Sequence, residues 1–449
     1  MTELGPKAHG AMLTESEPLS LIGVSESTGD AAKRCFDFVS ALILILVLSP
    51  VFALGYLASK FYGYGFSKSL RVQRGGKPFF ELSLRFPPKS RWNVISRLPV
   101  LINILRGEMS WVGPAPKAPA EIEALGQIGR YRLKVRPGLL CQWRIQRRAN
   151  ISYESESQTA AQYVDSHSLL TDLGLIARGV VVAIYGLPTP KTASTEINLM
   201  GVRVDNVTMN EAVNAIVERV GGGSPCQVSF LNAHCFNVLQ RDPLYLESVN
   251  SSRLVFPDGI GLKIAGQLLG CPITQNVNGT DLFPMLCKAL ESKQRSLYLL
   301  GGKPGTTEDV TKWLSSNYPN LVVLGSHHGY NLKNNTEKVI GEIRASGADL
   351  VLVGLGVPMQ ERWINQNLPE IGAKVVLGVG GLFDYYSGRI PRAPIWMREL
   401  GLEWFFRFLQ EPRRLCKRYF VGNLTFLLLV LRYWMDRRTE GSKNRGLFS

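Results

Sequence analysis

Short apolar runs that stop at glycine constrain the fold of this chain more than any other feature of its sequence. Residues 254–256 run into Pro257-Asp258-Gly259, and residues 296–300 run into Gly301-Gly302-Lys303-Pro304-Gly305. Residues 349–353 lead into GLGVPMQERW at 354–363, and residues 374–377 into GVGGLFD at 378–384. Similar runs stand at 227–231 and 321–324, with a short strand pattern at 197–207, and amphipathic helical stretches at 308–316 and 336–345. Thr208 with Glu211 three residues on is a capping box that starts a helix. A continuous apolar run suits a strand buried on both faces, and strands alternating with helices pair in parallel. The expected fold class is therefore α/β, with a largely parallel sheet. In such sheets ligands bind beyond the carboxyl ends of the strands, where the glycine turns stand.

The first half of the chain is different. Residues 38–56, FVSALILILVLSPVFALGY, are nineteen positions without a charge, flanked by Lys33-Arg34 and Lys60. Ser49-Pro50 interrupts them, and a proline there removes a backbone donor and bends the helix. A bent helix re-enters the leaflet that it came from, with a helix over 38–57; a kinked spanning helix is the alternative. Residues 61–149 are basic and punctuated by Gly and Pro, with short helical pieces such as 98–105, and a longer helix is expected at 169–185. A small membrane-embedded, α-rich domain over 31–188 is the resulting expectation. It follows a disordered tail over 1–30 and ends at the GLPTPKTAST linker at 186–195. The α/β domain spans 189–402, and 403–449 form a basic amphipathic helical appendage.

The formal charge of +15 is unevenly placed. Residues 61–150 hold 17 Lys/Arg against 4 Asp/Glu, and 403–449 hold 10 against 4, so the remainder sums to −4. Each basic block adjoins an apolar stretch. That points to an anionic membrane rather than a nucleic acid as partner, two solvated basic faces being the bland alternative. The seven cysteines are scattered and never spaced C-x-x-C, which argues against a disulfide framework or zinc site and for a reducing compartment.

Three glycine turns after strands favour a ligand that carries phosphate, because glycine lets backbone N–H groups approach it and a following helix adds its dipole; tight packing is the other use of such turns. Gly301, Gly302, Gly354, Gly378 and Gly380 are the candidate phosphate and nucleotide loops. Asp258, between Pro and Gly just past a strand, is the candidate general base, unless it only forms the turn. His234, beside Asn232 and also after a strand, is either a ligand contact or a structural histidine. His327-His328 lack metal-ligand spacing, and no Asp-x-Asp pair occurs, so neither metal nor cofactor is expected.

These motifs resemble the WecG/TagA/CpsF glycosyltransferases. The resemblance covers about 198–419 and rests on FLNAH (230–234), FPDGIG (256–261), NGTDL (278–282), LLGG (299–302), VGLGVPMQE (353–361), GVGGLFD (378–384), RAP (392–394) and GLEWFFR with EPRR (401–414). It implies an inverting, metal-independent transfer of N-acetylmannosamine, its uronic acid or a hexose from a UDP-sugar to a polyprenyl-diphosphate-linked acceptor, in the assembly of a cell-surface polysaccharide. Asp258 would be the base, Asn232 a contact to the acceptor or base region, and Gln360 a contact to the nucleotide sugar. His234, Asn276, Asp281, Glu361, Arg407 and Arg414 complete the implied substrate-binding set, and the C-terminal appendage would dock on the membrane. Phe230 and Asn276 depart from the family pattern, which has Thr and Arg there, so the donor sugar is left open.

Residues 33–185 resemble the bacterial polyprenyl-phosphate sugar-1-phosphate transferases through KRCFD (33–37), Ser49-Pro50, LPVLINILRGEMSWVGPAP (98–116) and VRPGLL (135–140). That family has an Asp-Glu pair where Ser96 and Arg97 stand, and an Arg where Ala115 stands. A serine beside an arginine supplies neither carboxylate nucleophile nor metal ligand. The expectation is an anchor that has lost its own reaction, at the cytoplasmic face of the bacterial inner membrane. A bifunctional enzyme and a non-catalytic scaffold are the alternatives, and self-association is left open.

Overall fold

The computed structural model describes residues 28–87, 95–149, 155–185, 194–330 and 332–445. Residues 1–27 of the expected disordered tail, most of the linker and residues 88–94 lie outside these residues, whereas 28–30 are helical rather than disordered. The chain forms two compact units, Met1–Arg147 with Ser152–Val182, and Ala183–Ser449 with Arg148–Ile151.

The first unit begins with helices α1 (Thr28–Val47) and α2 (Ser49–Phe61). The break falls at Leu48 and Pro50 lies in the first turn of α2, as the proline demands. Among the described residues no single helix is long and apolar enough to cross a membrane, whereas the two together have that length and composition but are bent by 67°. Strands β1 (Phe66–Val72) and β2 (Pro78–Leu84) follow, then α3 (Val100–Arg106), β3 (Ser110–Val112), α4 (Pro119–Ala124), α5 (Gly126–Tyr131), β4 (Gly138–Leu140), α6 (Gln142–Ala149), α7 (Glu156–Ser166) and α8 (Leu169–Tyr185). The antiparallel β1–β2 hairpin, paired Phe66↔Leu84 to Val72↔Pro78, corrects the expectation of short helices alone. Its alternation was hidden because Phe66, Leu70 and Phe80 are exposed. Ala41, Phe79, Val100, Leu101, Ile104 and Met109 pack as one core. Lys33 crosses this unit, ion-paired to Asp172 and donating to Tyr163 Oη at 2.7 Å and to the Val112 carbonyl at 3.0 Å. A buried ammonium needs such partners.

The second unit opens with a hairpin, β5 (Glu196–Leu199) and β6 (Val202–Asp205), and continues through α9 (Met209–Val220), β7 (Cys226–Leu231), α10 (Ala233–Leu239), α11 (Pro243–Asn250), β8 (Leu254–Pro257), α12 (Ile260–Leu268), α13 (Gly279–Ser292) and β9 (Ser296–Gly301). Then come α14 (Thr306–Asn317), β10 (Val322–His327), α15 (Leu332–Ser346), β11 (Leu350–Gly354), α16 (Met359–Ile371), β12 (Val375–Gly378), α17 (Leu382–Tyr386) and α18 (Ile395–Glu399). Thr208 caps α9 as expected, its hydroxyl accepting from the Glu211 N–H.

Six strands form one sheet in the order β10-β9-β11-β12-β7-β8, and every pair is parallel. Successive strand residues face opposite sides. Leu297, Leu299, Leu350 and Leu352 therefore pack with α9, α13 and α14, while Tyr298, Leu300, Val351 and Val353 pack with α15 and α16. Both faces are covered, which is why these strands read as unbroken apolar runs. Gly301 pairs with Gly354, Val353 with Gly378, and Leu231 with Pro257, so the loops after five strands leave the sheet at one edge and one level.

The C-terminal segment is not the single amphipathic helix that its composition suggested. It divides into α19 (Glu403–Gln410), α20 (Pro412–Cys416), a π-helical turn (Lys417–Val421) and α21 (Gly422–Arg445). Pro412 cannot continue the preceding helix and sits in the first turn of the next. Helix α21 is anchored rather than loose: Phe426 and Val430 lie in a core with Phe236, Leu262 and Ala265, and Asn237 Nδ2 donates to the Gly422 carbonyl at 2.7 Å.

Candidate active site

The loops at the carboxyl edge of the sheet, α12 and the segment from Gly401 to Val430 enclose a cavity of about 1650 Å³. Asp258, Asn232, His234, Asn276, Asp281, Gln360, Arg407 and Arg414 all line it, with Gly302, Gly354, Gly378 and Gly380. Residues from seven separate motifs thus meet in one space.

Asp258 leaves the end of β8 half-buried, its N–H donating to the Leu231 carbonyl at 2.7 Å. Burial lifts its carboxyl to about 6, against a hydrogen bond from Asn232; Glu403 and Asp281 push the same way as burial, and Arg418 opposes them. Asn232 is held from two sides. Its Oδ1 caps α10 by accepting from the Cys235 N–H at 3.2 Å, which points Nδ2 to Asp258 Oδ2 at 3.5 Å. Asn276 Oδ1 accepts from the Gly259 N–H at 2.6 Å, tying down the turn behind the carboxylate. His234 is kept neutral at neutral pH, since burial and then Arg418 lower it to about 4.

Gln360 is held by three hydrogen bonds. Its Oε1 accepts from the N–H groups of Gly380 at 2.9 Å and Gly356 at 3.2 Å, and its Nε2 donates to Glu361 Oε1 at 2.8 Å. One amide thereby joins the loops after β11 and β12. Glu361 does not line the cavity; it is fully buried behind Gln360, and burial raises its carboxyl to about 7. Asp281, 3% exposed, is likewise occupied: it ion-pairs with Arg392, accepts from Asn278 Nδ2 at 2.7 Å and lies 3.7 Å from Arg398.

Gly301 has φ +136°, and a Cβ there would stand 2.4 Å from the Gly354 carbonyl oxygen. A Cβ on Gly378 would meet Gln360 Nε2 at 2.9 Å. These glycines let two loops and one amide close on each other, so the packing use of glycine operates here whatever the ligand. Gly301→Ala is expected to cost roughly 2 kcal/mol or more from strain and overlap. A chemical denaturation midpoint measured beside that of the wild type checks this.

Arg407 lies over the Tyr385 ring at 4.8 Å and pairs with Asp384 at 3.2 Å and Glu411 at 3.3 Å, yet its buried Nη1 has no hydrogen-bond partner among the described residues. Arg414 pairs with Glu411 at 2.6 Å and keeps most of its side chain in solvent. Both belong to the C-terminal segment, which is therefore a wall of the cavity. Lys263, Arg418, Tyr419 and Glu403 also line it and escaped the sequence reading. Their signal, a charged or aromatic residue on an otherwise apolar helix, is indistinguishable from a surface position without the fold.

In the first unit Arg97 Nη2 pairs with Glu81 Oε1 at 2.7 Å, and Arg71 reaches the other oxygen of Glu81 at 3.1 Å. Ser96 accepts the Leu84 N–H on its carbonyl at 2.8 Å. The positions of the missing acidic pair are thus tied to the β1–β2 hairpin.

Comparison with known proteins agrees with this division. The model for the bacterial sugar transferase family matches residues 90–186. A Bacillus subtilis (strain 168) protein described as N-acetylglucosaminyldiphosphoundecaprenol N-acetyl-beta-D-mannosaminyltransferase is 33% identical over 212 residues, 47% of this chain and 81% of the relative. Proteins of the same description from Staphylococcus aureus strains MW2 and MRSA252 are 28% and 29% identical over 227 residues, 50% of this chain and 89% of each relative. The model for the glycosyl transferase WecG/TagA/CpsF family matches residues 197–440, the span that folds the parallel sheet, carries Asp258 and closes the cavity, and the chain belongs to that family.

Proposed function

We propose that this chain transfers a sugar from a UDP-linked donor to a sugar carried on a polyprenyl diphosphate, with inversion, as a step in cell-surface polysaccharide assembly. The observation that carries the reading is Asp258: a carboxylate at the carboxyl edge of the sheet, oriented by Asn232, opening on a cavity that glycine loops and arginines also line. The Asp258 carboxylate takes the proton of the acceptor hydroxyl as that oxygen bonds to the anomeric carbon. The bond from that carbon to the donor's phosphate breaks, and UDP departs with the electron pair. The names of the relatives support a polyprenyl-diphosphate-linked acceptor and an N-acetylmannosamine-type donor; its uronic acid or a hexose remain alternatives, because Phe230 and Asn276 line the cavity here.

The sequence has no Asp-x-Asp, and among the described residues no group of three His, Cys, Asp or Glu side chains is placed to hold a metal ion. Charge on the departing diphosphate falls to Arg407, beside the loop after β12, and to Arg414. The work is placed at the cytoplasmic face of the inner membrane. Supporting that are the bent α1–α2 pair with exposed Leu42, Leu46, Val47, Leu54, Leu57 and Phe61, and exposed Leu424, Leu428 and Leu431 on α21. The first unit acts as anchor, since its Ser96-Arg97 site offers no nucleophilic carboxylate.

Purified protein in anionic vesicles, given UDP-sugars and a prenyl-diphosphate-linked sugar, is expected to release UDP at a rate that EDTA leaves unchanged. No release with any donor would leave a scaffold. Prenyl phosphate with a UDP-sugar is expected to yield no prenyl-diphosphate sugar; its formation would make the first unit a second enzyme.

A further inference from the structure

Helix α12 carries the most isolated cation of the cavity. Lys263 is 5% exposed and lines the cavity, yet no hydrogen bond or ion pair joins it to any described residue. Its neighbours along the helix, Ile260, Ile264 and Leu268, also line the cavity and are apolar. Buried lysines are kept where something neutralises them, because removing an ammonium from water without a partner is costly. Burial alone lowers this amine to about 8, so it is still largely charged at neutral pH and has no internal counter-ion.

Position in the sheet says which end of the cavity Lys263 serves. The glycine loops follow β9, β11 and β12, three adjacent strands, while α12 follows β8 at the sheet edge, with β7 between them. At a strand spacing of about 4.8 Å, that sets α12 on the order of 10 Å or more from those loops. On the proposed function, on which this inference rests, the donor's diphosphate lies at the glycine loops and Asp258 stands between the two sugars. The α12 end then belongs to the acceptor. Leu427 of α21, half exposed, lines the same cavity and would suit a prenyl chain.

We propose that Lys263 forms an anion subsite for the acceptor, binding an oxyanion of the lipid-linked sugar: its diphosphate, or a carboxylate on the sugar ring. Both sources present the same chemistry, a charged oxygen that accepts from the Nζ ammonium where it opens on the cavity.

The test measures binding of UDP, farnesyl diphosphate and methyl glucuronoside to the full chain, as wild type, Lys263→Met and Lys263→Arg. Methionine keeps most of the length of the side chain and removes its charge, so the thermal midpoint should not fall. UDP affinity should be the same in all three. Farnesyl diphosphate binding is expected to weaken roughly ten- to a hundredfold in Lys263→Met and only a few-fold in Lys263→Arg, as for a lost charge-assisted hydrogen bond. The same pattern on the glucuronoside instead assigns the carboxylate. Wild-type affinities retained by Lys263→Met for both probes, with UDP bound, overturn the subsite and leave the proposed function standing. A wild type that binds none of the three overturns the proposed function and the subsite with it.

Discussion

Asp258→Asn is expected to lower turnover by about 10²- to 10⁴-fold, the usual contribution of a general base, while leaving UDP binding and the fold in place. The amide keeps the size of the side chain and its contact with Asn232 but cannot take the acceptor's proton. Wild-type kcat/KM should rise with pH through about 6, where the carboxyl titrates, and then level off. The stability effect has the opposite sign. The folded carboxyl titrates at about 6, above its ordinary 3.8, so the folded state holds its proton more tightly than the unfolded chain does. The stability that this supplies is full below 3.8 and lost as pH rises through 6, where burial penalises the charge. Asp258→Asn should therefore not lower the thermal midpoint at pH 8 and is expected to raise it. Full turnover in the variant, or a collapse of its midpoint, would remove Asp258 from the role of base.

The sheet was legible because its inner strands are buried on both faces, so apolar runs such as 297–300 and 350–353 carry the signal without help from partners; the edge strand β10, with Val322 and Leu324 exposed, is the exception. Glycine marked the carboxyl edge for a physical reason too: only residues without Cβ let the Gly301 and Gly354 backbones touch. Motifs gave the address of the cavity but not the direction in which a side chain points. Gln360 and Glu361 were both read as substrate contacts. The first spends its amide oxygen on two loop N–H groups and still lines the cavity, whereas the second is buried behind it. One step of helical rotation separates those fates, and packing, not the motif, sets it. Lys263 was missed for the converse reason. A lysine in a short helix reads as solvated, and only burial by residues distant in sequence makes it informative. The break at Pro412 was visible in the sequence, but the apolar and basic composition around it was read as one helix.

Asp281→Ala is expected to destabilise the second unit by about 3–5 kcal/mol, the cost of removing one partner from a buried charge cluster. The carboxylate lines the cavity and is also a junction. It neutralises Arg392, stands 3.7 Å from Arg398, and answers Asn278, whose Oδ1 in turn caps α13 by accepting from the Asp281 N–H at 2.8 Å. The Arg398 side chain is only 11% exposed, so losing the carboxylate leaves a buried guanidinium with less compensation. Arg392 keeps Glu403 at 3.3 Å, which limits the damage on that side. Asp281→Asn preserves the shape and one acceptor, so a smaller loss of roughly 1–3 kcal/mol is expected for it. Because Arg392 and Glu403 lead into α19, the cluster also fixes the helix that carries Arg407 over the cavity. Turnover should therefore fall with the order of this wall, while UDP affinity at low temperature, where the variant is still folded, stays near wild type. Thermal melts of both variants beside UDP binding separate the two roles: an unchanged midpoint with lost UDP binding would return Asp281 to the substrate.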